Sequence, residues 1–98
     1  MAKTVGADKV RRFGTPRDVF GLAITELRVR RGESQAAVAP QVGCEEFHLR
    51  NIEQGKENVT FDLMYAIVDY FDMLPLSKFW IFAEALAKAA RKGLRPIR

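Results

Sequence analysis

The side chains suited to bond-making chemistry are few: one histidine, His48, one cysteine, Cys44, and an adjacent carboxylate pair, Glu45 and Glu46. One imidazole and one thiol cannot supply the ligand set of a protein-bound zinc. A catalytic carboxylate pair must face across a substrate, whereas neighbours at i and i+1 on a helix point apart. No Gly-rich phosphate cradle and no nucleophile–base motif is present. The sequence therefore reads as a protein that is not an enzyme, with no metal, no cofactor and no small-molecule ligand evident. His48 becomes a surface residue. Cys44 cannot close an intramolecular disulfide and packs as a small apolar group.

Charge points elsewhere. The 98 residues carry a net +4, which mildly favours a polyanionic partner. The first 32 residues hold eight Lys/Arg against three Asp/Glu, so +5; residues 33–60 hold two against five, so −3; residues 61–98 hold six against four, so +2. The middle of the chain is acidic. Residues 1–14 have no apolar stretch resembling a secretory signal, and with a lone cysteine this predicts a reducing, cytoplasmic setting. The most apolar stretch, 79–90, is interrupted by Glu84 and Lys88 and is too short to span a bilayer, so no membrane partner is expected.

The elements that must carry any interface are read from caps and periodicity. Residues 1–14, with Lys3, Lys9, Arg11 and Arg12, form a basic arm without period. Thr15-Pro16-Arg17-Asp18 starts a helix, with Phe20, Ala23, Ile24 and Leu27 as its buried stripe and Gly32 as its stop. Ser34 caps a short second helix with Val38 and Val42 inward. Pro40 should kink it or tighten its end. Gly43 supplies the turn. A third helix spans about 45–54, with Leu49 and Ile52 inward and Gly55 closing it. Thr60 caps a fourth, with Met64, Ile67, Val68 and Phe71 as its stripe; Leu74-Pro75 breaks the chain. A fifth runs over about 76–92, ended by Gly93. Five helices and no strand make an all-α chain.

The pattern Gln35-x-x-Val38-Ala39-x-x-x-Gly43, continued by Leu49-x-x-Ile52-Glu53-x-Gly55, resembles the XRE-type, phage-repressor-like helix-turn-helix family. Leu27-Arg28-x-x-Arg31-Gly32 upstream and the 64–71 helix downstream also match, so the resemblance covers about 19–71. It implies a helix-turn-helix at helices 2 and 3, with helix 3 entering the DNA major groove. By position, Gln35 matches a phosphate-contacting glutamine, and Glu46, Phe47, Arg50 and Asn51 lie where the family reads bases and phosphates. Gln54, Lys56 and Asn58 fall in the loop approaching the backbone. Arg28 and Glu53 match an internal ion pair. Each has a plainer alternative. Gln35 also suits an early helix position. Phe47 can meet a thymine methyl or a protein neighbour, and Asn51 can read adenine or face solvent. Glu46 can accept from cytosine N4 or, with Glu45, favour the helix N-terminus. The Glu45-Glu46 pair and Pro40 depart from the family; the basic arm could supply the missing phosphate attraction.

In the fifth helix Phe79, Phe82, Ala83, Leu86 and Ala90 form one stripe, and Trp80, Ile81 and Ala85 fill much of the rest. A helix apolar most of the way round needs cover on two sides. Phe79, Trp80, Ile81 and Ala85 are therefore expected at a dimer interface, a layout that resembles the controller proteins of restriction–modification systems. The expected organisation is a basic arm at 1–14, a helix-turn-helix domain at 15–74, a dimerisation helix at 75–92 and a tail at 93–98. The expected function is a homodimeric, sequence-specific regulator of transcription that binds double-stranded DNA. The alternative is a protein-interaction module, antitoxin-like or adaptor, that keeps the fold and has lost DNA affinity.

Overall fold

Thr15 opens the first helix, α1 (Pro16–Arg30), by accepting a hydrogen bond from the Asp18 amide at 3.1 Å and donating to the Asp18 carboxylate at 2.8 Å. Pro16 at the first position loses nothing, since its N–H would have had no helical partner. The computed structural model describes residues 14–93. The expected basic arm, apart from Gly14, and the tail beyond Gly93 lie outside the described residues. Within α1, Phe20, Ala23 and Ile24 are buried as the period requires, while Leu27 is half-buried and Val19 joins the core.

Helix α2 (Gln35–Val42) begins at Ser34, whose hydroxyl accepts from the Ala37 amide at 3.0 Å. It runs through Pro40 unbroken. The bond that Pro40 forfeits would go to the carbonyl of Ala36, an exposed residue where water is at hand. The helix end does not tighten as expected: the Gly43 amide keeps the ordinary four-residue spacing to the Ala39 carbonyl at 3.1 Å, and the Cys44 amide reaches the same oxygen from five residues on at 3.0 Å. Gly43 sits at φ 91°, a left-handed conformation that other residues adopt at a cost. The chain turns there into α3 (Glu46–Glu53), whose N-cap, Glu45, makes no side-chain capping bond. Ala39 is fully buried, and Leu49 and Ile52 are each 1% exposed.

Thr60 caps α4 (Phe61–Tyr70) through a 3.1 Å bond from the Leu63 amide. Its Ile67, Val68 and the following Phe71 are buried, but Met64 is half-buried because it borders a surface cleft. After a cis Leu74–Pro75 bond comes α5 (Leu76–Arg91). Helix α1 packs on both α3 and α5, α2 on α3 and α4, and α4 on α5. Among the described residues there is no strand, and no helix is long and apolar enough to cross a membrane.

The expected roles within α5 need correction. Phe79 is fully buried and cannot lie at an interface; its ring centroid is 5.4 Å from Phe20 and 5.3 Å from Trp80. Trp80 is half-buried within the single chain, because Phe20, 6.1 Å away, joins Phe79 in covering it. Burying an aromatic side chain of this size contributes about 1.5–3 kcal/mol, so this trio anchors α5 to α1. Ala87, not expected in the stripe, is buried with Ala83 and Leu86. Ile81 and Ala85 remain on the outer face, Ile81 at 73% exposure.

Candidate nucleic-acid interface

With Leu49 and Ile52 inward, the 3.6-residue period leaves Glu46, Phe47 and Arg50 on the outer face of α3, followed by Gln54 at its end. Phe47 is 55% exposed. Arg50 reaches back to Glu46, one turn earlier, with Nη2 3.6 Å from Oε2. Both side chains are about half exposed (46% and 51%), so the pair contributes only about 0.3–0.5 kcal/mol and breaks readily. Lys56 and Asn58 stand exposed in the loop after α3. Lys56 has no charged partner among the described residues.

Asn51 is differently placed from its neighbours. Its Nδ2 donates to Glu57 Oε2 at 3.2 Å, and His48 Nε2 stands 2.8 Å from the other oxygen of the same carboxylate. Glu57 thus folds the loop back onto α3 and occupies the Asn51 amide. Nothing in the spacing marks Glu57 for that role. His48 is half-buried rather than fully at the surface. Cys44 is also half-buried against the core, and burial, with Glu45 and Glu57 nearby, pushes its thiol pKa up, so it is a poor nucleophile.

What holds α3 in place is a cluster at its far end. Arg28 Nε and Nη2 donate to the two oxygens of Glu53 at 2.7 and 2.9 Å, a bidentate pair. Arg28 Nη1 donates to the Glu33 carbonyl at 2.9 Å, and Gln35 Nε2 donates to Glu53 Oε1 at 2.9 Å. One carboxylate therefore ties the end of α1, the start of α2 and the end of α3. The side chains are 15% and 5% exposed, and the hydrogen bond to Glu53 raises the Arg28 pKa against the opposing effect of burial. Gln35 keeps one amide hydrogen free of Glu53 and remains half-buried beside this cluster.

A second constraint lies underneath. A Cβ placed on Gly21 would come within 2.5 Å of the carbonyl oxygens of both Ile52 and Glu53, so α1 and α3 cross backbone to backbone. A glycine inside an otherwise apolar-periodic helix is the sequence signal of such close approach. Glu26 gives no comparable signal. It is 3% exposed and paired at 2.9 Å with Arg30, whose guanidinium lies 5.4 Å from the Phe82 ring centre on α5. Beside the Arg28 cluster, Tyr70 donates to Glu33 at 2.7 Å and Arg31 covers its ring at 4.9 Å, joining α4 to the end of α1.

Among the described residues no group of His, Cys, Asp and Glu is arranged to hold a metal ion. Compared with known protein-family models and with curated proteins, the chain matches none.

Proposed function

We propose that this chain is a homodimeric, sequence-specific DNA-binding regulator of transcription in which α2, Gly43 and α3 form a helix-turn-helix. The observation that carries the reading is the posture of α3: a two-turn helix fixed at its base by Arg28, Gln35 and Glu53, with its outer face left free. Glu46, Phe47 and Arg50 are then the side chains offered to base edges, and Gln54, Lys56 and Asn58 approach phosphates. Gln35 contributes to phosphate binding through its second amide hydrogen. Dimerisation uses the outer face of α5 around Ile81 and Ala85, setting two recognition helices against half-sites about 34 Å apart. Asn51 reads a base only after releasing Glu57.

A second reading is favoured by that last contact. Glu57 occupies Asn51 and Glu46 attends Arg50, so carboxylates partly mask the groups that would face DNA. On this reading the exposed Phe47 is the centre of a protein-binding face, and the chain is an interaction module. Fluorescence anisotropy on a selected duplex and a scrambled one, across a salt series, separates the two. The regulator reading expects log affinity to fall with log salt by about 0.9 per phosphate neutralised. Removing residues 1–14 flattens that slope without changing preference, whereas Arg50→Ala lowers preference for the selected site. Absence of binding to any selected duplex at low salt overturns it in favour of the interaction module.

A further inference from the structure

A cleft of about 130 Å³ opens between the start of α1, the loop leading into α4, and α5. Its walls are apolar: Phe20, Val59, Met64 and the indole of Trp80. Arg17 and Asn58, both exposed, stand at its edge. The cleft is open to solvent on one side, and its volume is on the order of that of a single aromatic ring. Small-molecule sites elsewhere combine such apolar walls with a few oriented polar groups.

The polar group here is cationic and, among the described residues, not neutralised by a carboxylate. Arg17 forms no ion pair among the described residues; its single contact is a hydrogen bond from Nη1 to Asn58 Oδ1 at 3.5 Å, the limit of such a bond. The nearest carboxylate in sequence, Asp18, is engaged with the Thr15 hydroxyl at 2.8 Å. Asn58 offers Arg17 only a neutral oxygen and keeps its own NH₂ to donate. A guanidinium and an amide NH₂ at the mouth of a ring-sized apolar cleft complement a planar anion attached to an aromatic ring. We propose that this cleft binds a small aromatic carboxylate, its ring against Trp80 and Phe20 and its carboxylate on Arg17 and Asn58. Asn58 is shared with the loop proposed to approach phosphates, and the binding is that of the free protein, measured without DNA.

Trp80 is the only tryptophan in the chain, so its emission reports on the cleft directly. The experiment titrates the full chain with benzoate, with benzyl alcohol, which keeps the ring without the charge, and with acetate, which keeps the charge without the ring. Benzoate should give a saturable change, about ten-fold tighter than benzyl alcohol, the factor that one charge-assisted hydrogen bond supplies. Acetate should give none. Arg17→Gln, at an exposed position whose loss leaves the core intact, should bring benzoate to the level of benzyl alcohol and leave benzyl alcohol unchanged. Val59→Phe, which fills the cleft, should abolish both, and a matching loss of benzoate signals by ligand-observed NMR confirms the site. A response to benzoate that never saturates, one equalled by acetate, or one unchanged in Arg17→Gln overturns the proposal.

Discussion

Replacing Gly21 with alanine sets two effects of opposite sign against each other. In an exposed helix the change stabilises, because glycine is about 0.8–1 kcal/mol worse than alanine. Here the new methyl would lie 2.5 Å from two backbone oxygens, those of Ile52 and Glu53, whereas ordinary contact begins near 3.4 Å. The deficit is 0.9 Å (3.4 − 2.5) on both oxygens at once. Neither belongs to a side chain that can rotate away, so relief requires α1 and α3 to separate. Overpacking of this kind costs about 1–3 kcal/mol, and the two-backbone geometry places Gly21→Ala at the upper end. Subtracting the propensity gain leaves a net loss of about 2 kcal/mol. For a domain of this size that lowers Tm by about 8–16 °C. Urea denaturation gives the clean measurement, with a lower midpoint and an unchanged slope. A variant as stable as the parent, or more so, would show that α1 and α3 do not cross backbone to backbone, and the placement of α3 would fall with it.

Glu53→Gln leaves the Arg28 guanidinium, 15% exposed, without its carboxylate and should cost about 3 kcal/mol; melting within a degree of the parent would mean the pair contributes nothing to folding. Ile81→Glu places a carboxylate on the outer face of α5 and should yield monomers by light scattering while leaving helicity unchanged, since Ile81 is 73% exposed within one chain. An unchanged mass for a dimeric parent would remove this face from the interface. Donation to Glu33, with some burial, raises the Tyr70 pKa above its ordinary value. The native state then holds a proton that the unfolded chain releases near pH 10, so this stabilisation is complete below that pH and fades as pH rises through the higher native value. Tyr70→Phe should flatten the alkaline limb of the stability profile and leave the neutral region of its pH dependence unaltered in slope.

The helices were legible because their ends are written in single residues. Thr15, Ser34 and Thr60 each accept the amide three positions on, and Gly43 takes the left-handed turn, so local chemistry set these boundaries before any packing. Packing within α5 was not legible in the same way. With Phe79, Trp80, Ile81 and Phe82 consecutive, every direction around the helix is apolar, and periodicity cannot choose among them. The choice is made by Phe20 on α1, which receives Phe79 and Trp80 and leaves Ile81 outside. Met64 packs against the core only in part, for the converse reason. It has the right period, but the neighbouring surface opens into a cleft instead of closing over it.

The candidate interface divides along the same line. Arg28 and Glu53 were expected as an ion pair from the family resemblance and are paired; Gln35, expected at a phosphate, donates to the same Glu53 carboxylate. Glu57 was not expected there, because its contacts with His48 and Asn51 depend on how a loop closes and not on a repeat. That missed residue bears directly on function. On the regulator reading, an amide that must leave Glu57 before it can meet adenine carries that penalty only on the duplex where it reads a base, so the contact lowers affinity for the selected site and blunts discrimination. Glu57→Gln keeps a hydrogen-bond acceptor near Asn51 but removes the negative charge beside α3, and it should strengthen binding to selected and scrambled duplexes alike, most at low salt. Glu57→Ala also frees the Asn51 amide, and should add a further gain confined to the selected site, of about 1–3 kcal/mol if that amide reads a base. Anisotropy titrations of both variants at two salt concentrations resolve the two contributions. Equal gains on both duplexes in Glu57→Ala would mean that Asn51 reads no base, leaving the loop carboxylate as an electrostatic brake and Glu46, Phe47 and Arg50 as the side chains on which any sequence preference must rest.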